Sequence, residues 1–200
     1  MITYRIAKET DMPEIATVHQ RCFPGYFISS LGESLIAAYY VEFLKEESLF
    51  WIALDDDKVI GFCMGYLREK SAARDQFIKN NRYALMKRIS ILLLSFDKLT
   101  IKKCMNFVAG KFKKTKIEFV SPAKGDLLSI GVLPEYRGKG VSKQLVMSFE
   151  ESLRLVGAND FLLSVYTSNS GAIHFYEKCG MKKVYQTETE TKYYKELENA

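Results

Sequence analysis

The sequence predicts an α/β or α+β fold in which helices flank one mixed β-sheet. Two observations support this: β-prone runs alternate with amphipathic helical runs, and a nearly continuous apolar strand precedes the longest helix. The chain has 200 residues, of which 48% are hydrophobic and 26% charged, as in an ordinary globular protein. At this length we expect a single domain over 1–200, with a basic helical insertion at about 70–116.

The first half of the chain predicts a strand, two helices and a hairpin. Residues 3–9 are β-prone, and a capping residue followed by a proline then marks the start of a helix. A second helix opens at Ser34, because apolar residues recur from there at helical spacing. The β-rich runs 49–54 and 59–67 are separated by a short polar turn, which predicts a hairpin.

The last third of the chain predicts strands and helices in alternation. Residues 127–133 form an apolar strand that we expect to be covered on both faces. A glycine-containing turn leads from it into a helix that ends at Gly157. The remaining elements are a strand at 161–166, a helix at 170–179, and a β-prone run from 181 that ends in a second strand at 192–197.

The positive charge of the chain is concentrated in the basic insertion. Residues 70–116 carry a net charge of +11, so that the rest of the chain carries −6 within a total of +5. Its apolar residues step by 4, 3, 4 and 3 along one helical face: Leu85, Ile89, Leu92, Phe96 and Leu99. Lys87 and Lys98 fall on the opposite side, and a shorter helix is expected at 101–109. Either a phosphate-bearing partner or a solvated surface helix explains this pattern.

Several classes of protein are excluded or disfavoured. The four cysteines lie far apart without a CxxC pair, and there are two histidines, which excludes a zinc ribbon and disfavours a disulfide framework. We therefore expect a reducing compartment and no metal. The N-terminus has no signal-peptide core, and the longest apolar-rich run, 89–96, is too short to span a membrane. These observations predict a cytoplasmic protein.

The turn after the apolar strand has the features of a phosphate site. Gly138 and Gly140 allow close approach of the backbone, and the following helix presents unpaired N–H groups at its N-terminus. The spacing fits neither a Walker loop nor a dinucleotide-binding fingerprint. The sequence 137–142, RGKGVS, resembles the [QR]-x-x-G-x-[GA] loop of the GCN5-related N-acetyltransferase (GNAT) superfamily, with Ser142 in place of Gly or Ala.

A second segment carries the same resemblance. Residues 169–181 are similar to the N-x-x-A-x-x-[FL]-Y-x-x-x-G-F signature of the superfamily, with Met181 in place of Phe. Both motifs occur in the expected strand–helix–strand–helix order, and the resemblance does not extend to the basic insertion. It implies a mostly antiparallel mixed sheet and direct transfer of an acetyl group from acetyl-CoA to a primary amine.

The resemblance also implies roles for individual residues. Ile130 and Val132 would contact the pantetheine arm through the backbone, with the Val132 N–H polarising the thioester, and Asn169 would contact the same arm. Tyr176 would protonate the departing thiolate. The pyrophosphate would be bound by the loop residues Arg137, Gly138, Lys139, Gly140, Val141 and Ser142. The alternative for Tyr176 is an aromatic residue packed in the core.

The general base and the acceptor site are less constrained. Asp126 precedes the strand where some superfamily members place a catalytic carboxylate, and burial would have to raise its pKa. The alternative for Asp126 is a loop cap near Gly125. His19, Tyr26 and Phe27 flank an aromatic turn and are the candidate acceptor-binding residues.

The identity of the acceptor rests on weaker evidence. The run from His19 to Gly32 is similar to acetyltransferases of surface-polysaccharide biosynthesis, which favours an amino sugar linked to a nucleotide or lipid. The alternatives are a protein or peptide N-acetyltransferase, and a membrane- or RNA-binding module built on the same fold. The basic insertion would permit peripheral contact with the inner face of an anionic membrane, whereas nucleic acid is the less favoured partner. The sequence leaves open whether the protein is a monomer or a homodimer, and whether the acyl group is acetyl or longer.

Overall fold

The computed structural model describes residues 1–45, 49–69, 72–94 and 123–198. The seven strands are β1 (Ile2–Ile6), β2 (Phe50–Asp55), β3 (Lys58–Leu67), β4 (Gly125–Val132), β5 (Asp160–Tyr166), β6 (Lys182–Gln186) and β7 (Glu190–Glu196). The α-helices are α1 (Met12–Cys22), α2 (Phe27–Ser30), α3 (Glu33–Leu44), α4 (Ala73–Asn80), α5 (Arg82–Leu94), α6 (Val141–Leu155) and α7 (Ser170–Lys178). Short 3-10 turns precede α1 and α6.

The seven strands form one sheet in the order β1-β2-β3-β4-β5-β7-β6. Neighbouring strands are antiparallel except for β4 and β5, which are parallel. The predicted mixed and mostly antiparallel sheet is therefore confirmed. Strands β4 and β5 can pair in parallel because α6 connects them as a helical crossover.

Strands β4 and β5 separate beyond their first three residues. Their register pairs Gly125–Leu127 with Phe161–Leu163, although both strands continue further. A bulge in the β3–β4 register leaves Leu128 between two pairs, Met64 with Ser129 and Gly65 with Leu127, and bulges bend strands. The expectation that this strand is covered on both faces is therefore wrong for residues 128–130: Leu128 is 38% exposed because β4 borders a cleft there, whereas Val132 is buried again.

The helices cover opposite faces of the sheet. On one face Phe62 of β3 contacts Tyr40 of α3, with 5.4 Å between the ring centroids. On the other face a side-chain carbon at Gly65 would collide with the ring of Phe149 in α6, so only glycine allows this helix to approach so closely. Successive residues of a strand point to opposite faces, which is how one strand supports both layers.

The described part of the basic insertion forms α4 and α5, which pack on α3. Phe77 and Leu85 are 1% and 4% exposed and form a small separate core with Leu31 and Leu35. The predicted helix agrees with α5, and its remaining predicted face, Phe96 and Leu99, lies outside the described residues together with 101–109. Helices α2 and α4 were not expected from the sequence. Within the described segments, no helix is both long and apolar enough to cross a bilayer.

Candidate active site

A cleft of about 510 Å³ opens where β4 and β5 separate. Its walls come from α1, α3, β4, β5, α7 and the turn between β6 and β7. The residues that line it are His19, Phe23, Tyr26, Ile28, Tyr39, Tyr40, Leu127, Leu128, Ser129, Ile130, Ser164, Val165, Tyr166, Asn169, Ala172, Tyr176, Thr189 and Glu190. Of the fourteen residues predicted for the site, five lie in this lining: Ile130, Asn169, Tyr176, His19 and Tyr26.

The separated edge of β4 offers backbone groups to an extended ligand. Ile130 lies on this edge and lines the cleft. Val132 is 5% exposed, and its carbonyl oxygen accepts a hydrogen bond from Arg137 Nε at 3.2 Å. Because the register with β5 ends at Leu127, an extended amide-containing chain can add to β4 there in the manner of a further strand.

The turn before α6 is shaped to bind an anion. Gly138 and Gly140 have φ values of +76° and +82°, which L-residues with side chains rarely adopt. Gly140 is the N-cap of the fifteen-residue α6 and provides no side-chain cap, so the N–H groups of Val141 and Ser142 have no partner within the helix. The positive end of the helix dipole adds to the charges of Arg137 and Lys139. A pyrophosphate group fits this arrangement.

Helix α7 places two predicted residues in the cleft. Asn169 is its N-cap, and the Asn169 side chain accepts a hydrogen bond from the Ala172 N–H at 3.1 Å. Tyr176 is 8% exposed, and burial raises the pKa of its phenol above the ordinary range. The phenol is therefore protonated at neutral pH and can act as a proton donor.

A chain of three polar side chains crosses the base of the cleft. His19 Nδ1 lies 2.7 Å from the Tyr40 hydroxyl, which in turn donates to Ser129 Oγ at 3.2 Å. Burial lowers the pKa of His19 to about 4, so the imidazole is neutral at pH 7. Burial also raises the pKa of the Tyr40 hydroxyl. This chain joins α1, α3 and β4, and it fixes the position of the β4 edge relative to the two helices.

The outer part of the cleft is aromatic. The ring of Tyr26 lies 5.4 Å from that of Phe23 and 5.0 Å from that of Tyr166, measured between centroids. Phe27 lines a second, adjoining cavity of about 580 Å³ instead of the cleft. We call this second space the arginine cavity, because Arg68 and Arg74 line it.

Two carboxylates lie near the cleft. Asp126 is inside β4, opposite Tyr66 of β3, so the alternative of a loop cap is wrong. Its Oδ2 is 3.9 Å from Arg68 Nε, and burial raises the pKa of its carboxyl to about 6. Asp126 is absent from the cleft lining, within the described residues, whereas Glu190 at the start of β7 is part of it.

Sequence reasoning missed several residues of the cleft. Tyr40, Ser129, Tyr166 and Glu190 come from four different elements and belong to no contiguous motif. Tyr40 lies on the buried face of α3, one helical turn after Ile36, and is fully buried through its contacts with His19 and Phe62. The sequence signal for Tyr40 was a hydroxyl-bearing residue at helical spacing from the apolar residue Ile36.

Comparison with known proteins is consistent with this geometry. The model of the acetyltransferase (GNAT) family matches residues 101–181, which include β4, the glycine turn, α6, β5 and α7. The N-alpha-acetyltransferase of Saccharolobus solfataricus is 27% identical over 184 residues, which cover 91% of this chain and 81% of that protein.

Solved structures share the fold. Ard1 of Thermoplasma volcanium superposes with a TM-score of 0.62 at 16% identity, over 99% of both chains. The PaiA N-acetyltransferase of Thermoplasma acidophilum, in complex with coenzyme A, has a TM-score of 0.57 at 17% identity, over 98% of this chain and 99% of that one.

Proposed function

Since this chain is a member of the GNAT superfamily and an acetyl-CoA-dependent N-acetyltransferase, we propose that its acceptor is the α-amino group of a protein or peptide. The carrying observation is the extent of the match to the N-alpha-acetyltransferase of S. solfataricus. It covers 91% of the chain, and so extends well beyond the segment that carries the two cofactor motifs.

The form of the cleft supports a chain-like acceptor. Its outer part is bordered by Tyr26 and Tyr166 and continues into the arginine cavity, so the accessible space extends well beyond the point where an amine would react. A peptide occupies such an elongated space with successive side chains, and tyrosines can both pack on it and hydrogen-bond to its backbone.

The cofactor supplies an acetyl thioester that an amine can attack. In our proposal, the β4 edge at Ile130 and Val132 holds the pantetheine arm, and the Val132 N–H stabilises negative charge on the carbonyl oxygen. The Arg137–Ser142 turn binds the pyrophosphate, and Asn169 orients the arm from α7. Tyr176, whose phenol is protonated at neutral pH and lines the cleft, donates its proton to the departing thiolate.

The acceptor amine must be neutral when it attacks. A protein α-amino group has a pKa of about 8, against about 10.4 for lysine, so a weak base is sufficient for the former. Asp126, with a pKa of about 6, is the base that we propose, acting through water because it is set back from the cleft lining. Glu190 lines the cleft and is the second candidate.

The amino-sugar acceptor predicted from the sequence stays a prediction, because the S. solfataricus relative carries the N-alpha-acetyltransferase name. Peripheral membrane contact through the basic insertion also stays a prediction. A basic segment beside the acceptor site would repel a basic peptide, but it leaves neutral and acidic peptides open as acceptors.

The proposal is tested with three acceptors offered separately to the enzyme and acetyl-CoA. The first is a lysine-free peptide with a free α-amine, and the second is the same peptide with a blocked N-terminus and one internal lysine. The third is a nucleotide-linked amino sugar. We expect acetylation of the first, located by mass spectrometry on its α-nitrogen. Turnover of the lysine peptide or the sugar alone would contradict the proposal.

A further inference from the structure

The arginine cavity adjoins the acceptor end of the cleft. The two spaces share five lining residues, which come from the turn before α2 and from α2, α3, β4 and β5: Tyr26, Ile28, Tyr39, Leu128 and Tyr166. An extended peptide advances by about 3.3 Å per residue, so the first few residues after the reacting amine are within reach of the cavity. The cavity is therefore continuous with the proposed path of the acceptor.

The described lining of the cavity is mainly aromatic. Of the eleven described residues that line it, seven are aromatic and two are aliphatic. Tyr39 contacts Phe43 and Phe77, with 4.9 and 5.2 Å between ring centroids and interplanar angles of 62° and 83°. Aromatic pairs favour such edge-to-face contacts, so a further ring that enters the cavity can extend the same packing.

Helix α4 of the basic insertion contributes to this wall. Phe77 of α4 is 1% exposed, packs on Tyr39 of α3 and lines the cavity. Helix α4 lies outside residues 101–181, which the GNAT family model matches. The cavity is thus partly built by a segment that is separate from the cofactor motifs.

The boundary between the cleft and the cavity leaves large apolar side chains open to solvent. Leu128 is 38% exposed because of the bulge in β4, and Tyr166 at the end of β5 is 51% exposed. Burying such side chains against an apolar ligand is favourable in proportion to the area removed from water.

An aromatic occupant needs no free charge in the cavity. Arg68 Nε lies 3.9 Å from Asp126 Oδ2, and Arg74 also interacts within the protein. A guanidinium stacks on an aromatic ring through its flat face, so its in-plane N–H donors stay with their existing partners. Both arginines are therefore compatible with an aromatic ligand.

Resting on the proposed function, we infer that the arginine cavity binds an aromatic side chain, of Phe, Tyr or Trp, at one of positions 2 to 4 of the acceptor. Transfer of the ring from water to the apolar lining stabilises the complex, and edge-to-face contacts add to this. An aliphatic side chain gains the first contribution without the second. An acidic side chain gains neither and loses hydration.

The test uses lysine-free peptides that share one sequence and a constant first residue. Positions 2, 3 and 4 are replaced in turn by Phe, Leu, Glu or Ala, and kcat/KM is measured for each peptide. At one position we expect the ratio of Phe to Ala to be about 10 or more, in line with burial of a large side chain. At the same position the ratio of Phe to Leu should be about 3 or more.

Variants then assign the preference to the cavity. Phe27→Leu and Phe77→Leu each replace a ring of the cavity wall, outside the cleft lining, by an aliphatic side chain. Each should reduce the ratio of Phe to Leu to near 1. Tyr83→Leu is the matched control, because Tyr83 belongs to the insertion, is 72% exposed and lines neither space, so the wild-type ratio should persist. The ratio is internal to each variant, so a general loss of activity does not affect it.

The outcomes separate the two proposals. Equal kcat/KM for the Phe, Leu and Ala peptides at all three positions would overturn the inference and leave the N-alpha-acetyltransferase function in place. A preference for Glu over Phe at every position, or a Phe preference that is unchanged in both cavity variants, would also overturn it. If the enzyme acetylates a nucleotide-linked amino sugar but none of the peptides, both the proposed function and the inference are wrong.

Discussion

The cofactor side and the acceptor side of the cleft differ in the kind of chemical group that each presents to its substrate. On the cofactor side, the groups that matter are mostly backbone: the edge of β4, two glycines of positive φ and the N-terminus of α6. On the acceptor side they are side chains, such as His19 from α1 and Tyr40 from α3. Backbone geometry is set by a short continuous segment, whereas the side-chain wall requires the whole fold.

This difference predicts that substitutions on the two sides should have different effects on the enzyme. A change on the cofactor side should abolish binding of acetyl-CoA, whichever amine is the acceptor. A change on the acceptor side should instead alter which amine reacts, how fast, and over which pH range. The following predictions test this division.

The largest effect is expected from Gly140→Glu. The residue has φ of +82°, so any side chain strains the turn, and a carboxylate there repels the pyrophosphate. We expect the affinity for acetyl-CoA, measured by calorimetry, to fall by about 100-fold or more, given a cost of roughly 3 kcal/mol for strain and repulsion together.

Gly157→Glu is the matched control for this prediction. Gly157 ends α6, has φ of +73° and has no atom within 4 Å of an added side-chain carbon, as is true of Gly140. The two variants therefore share the backbone penalty but differ in their distance from the proposed pyrophosphate site. Equal affinities for acetyl-CoA in the two variants would show that the turn at 137–142 does not bind the cofactor.

Tyr176→Phe is expected to lower kcat by about 100-fold while the dissociation constant of acetyl-CoA stays the same, because general acid catalysis contributes roughly 10² to 10⁴. Tyr193→Phe serves as the control. Tyr193 lies beside Tyr176, with 6.2 Å between ring centroids, but its hydroxyl donates to Glu177 and is outside the cleft lining. Wild-type turnover by Tyr176→Phe would assign this residue to the core.

The pH dependence of kcat/KM tests the proposed base. Two groups must lose a proton, namely the acceptor amine and Asp126, whose pKa is raised to about 6. The logarithm of kcat/KM should therefore rise with a slope of about 2 below pH 6 in the wild type and of about 1 in Asp126→Asn, with about tenfold lower activity at pH 7.5. If Glu190→Gln shows this loss and Asp126→Asn does not, Glu190 is the base.

The smallest effect concerns stability on the acceptor side. The pKa of His19 is lowered to about 4, so the unfolded chain binds a proton before the native protein does as the pH falls through 6.5. Native stability is thus complete above the unfolded pKa and decreases towards pH 4. Between pH 7 and pH 5 this costs about 2 kcal/mol. Denaturant unfolding of His19→Leu should show a decrease smaller by that amount, and an identical decrease would contradict the assignment.

The same division explains what could be predicted from the sequence. Features that lie in one contiguous segment with a characteristic local spacing could be predicted. They are the order of most strands and helices, the glycine turn at Gly138 and Gly140, and the motif around Tyr176. The separation of β4 from β5 could not be predicted, because it depends on a bulge at Leu128 that arises from pairing with β3. Tertiary register has no local signature.

The acceptor wall was only partly predictable for the same reason. His19 and Tyr26 were proposed from their place next to an aromatic turn, but their partners Tyr40 and Tyr166 come from distant elements. Phe27 was assigned to the same site as Tyr26, yet one step along α2 directs it into the arginine cavity. Side chains that meet across elements are fixed by the fold and not by neighbouring residues.

The most direct test of the account is binding of a peptide–CoA conjugate, in which the α-nitrogen of a peptide is linked to the CoA sulfur through an acetyl bridge. If the cofactor side and the acceptor side act together, calorimetry should give a dissociation constant at least about 100-fold below that of CoA alone, because the second half binds without further loss of translational freedom. A conjugate that binds no more tightly than CoA would contradict the proposal that the cleft receives a protein N-terminus.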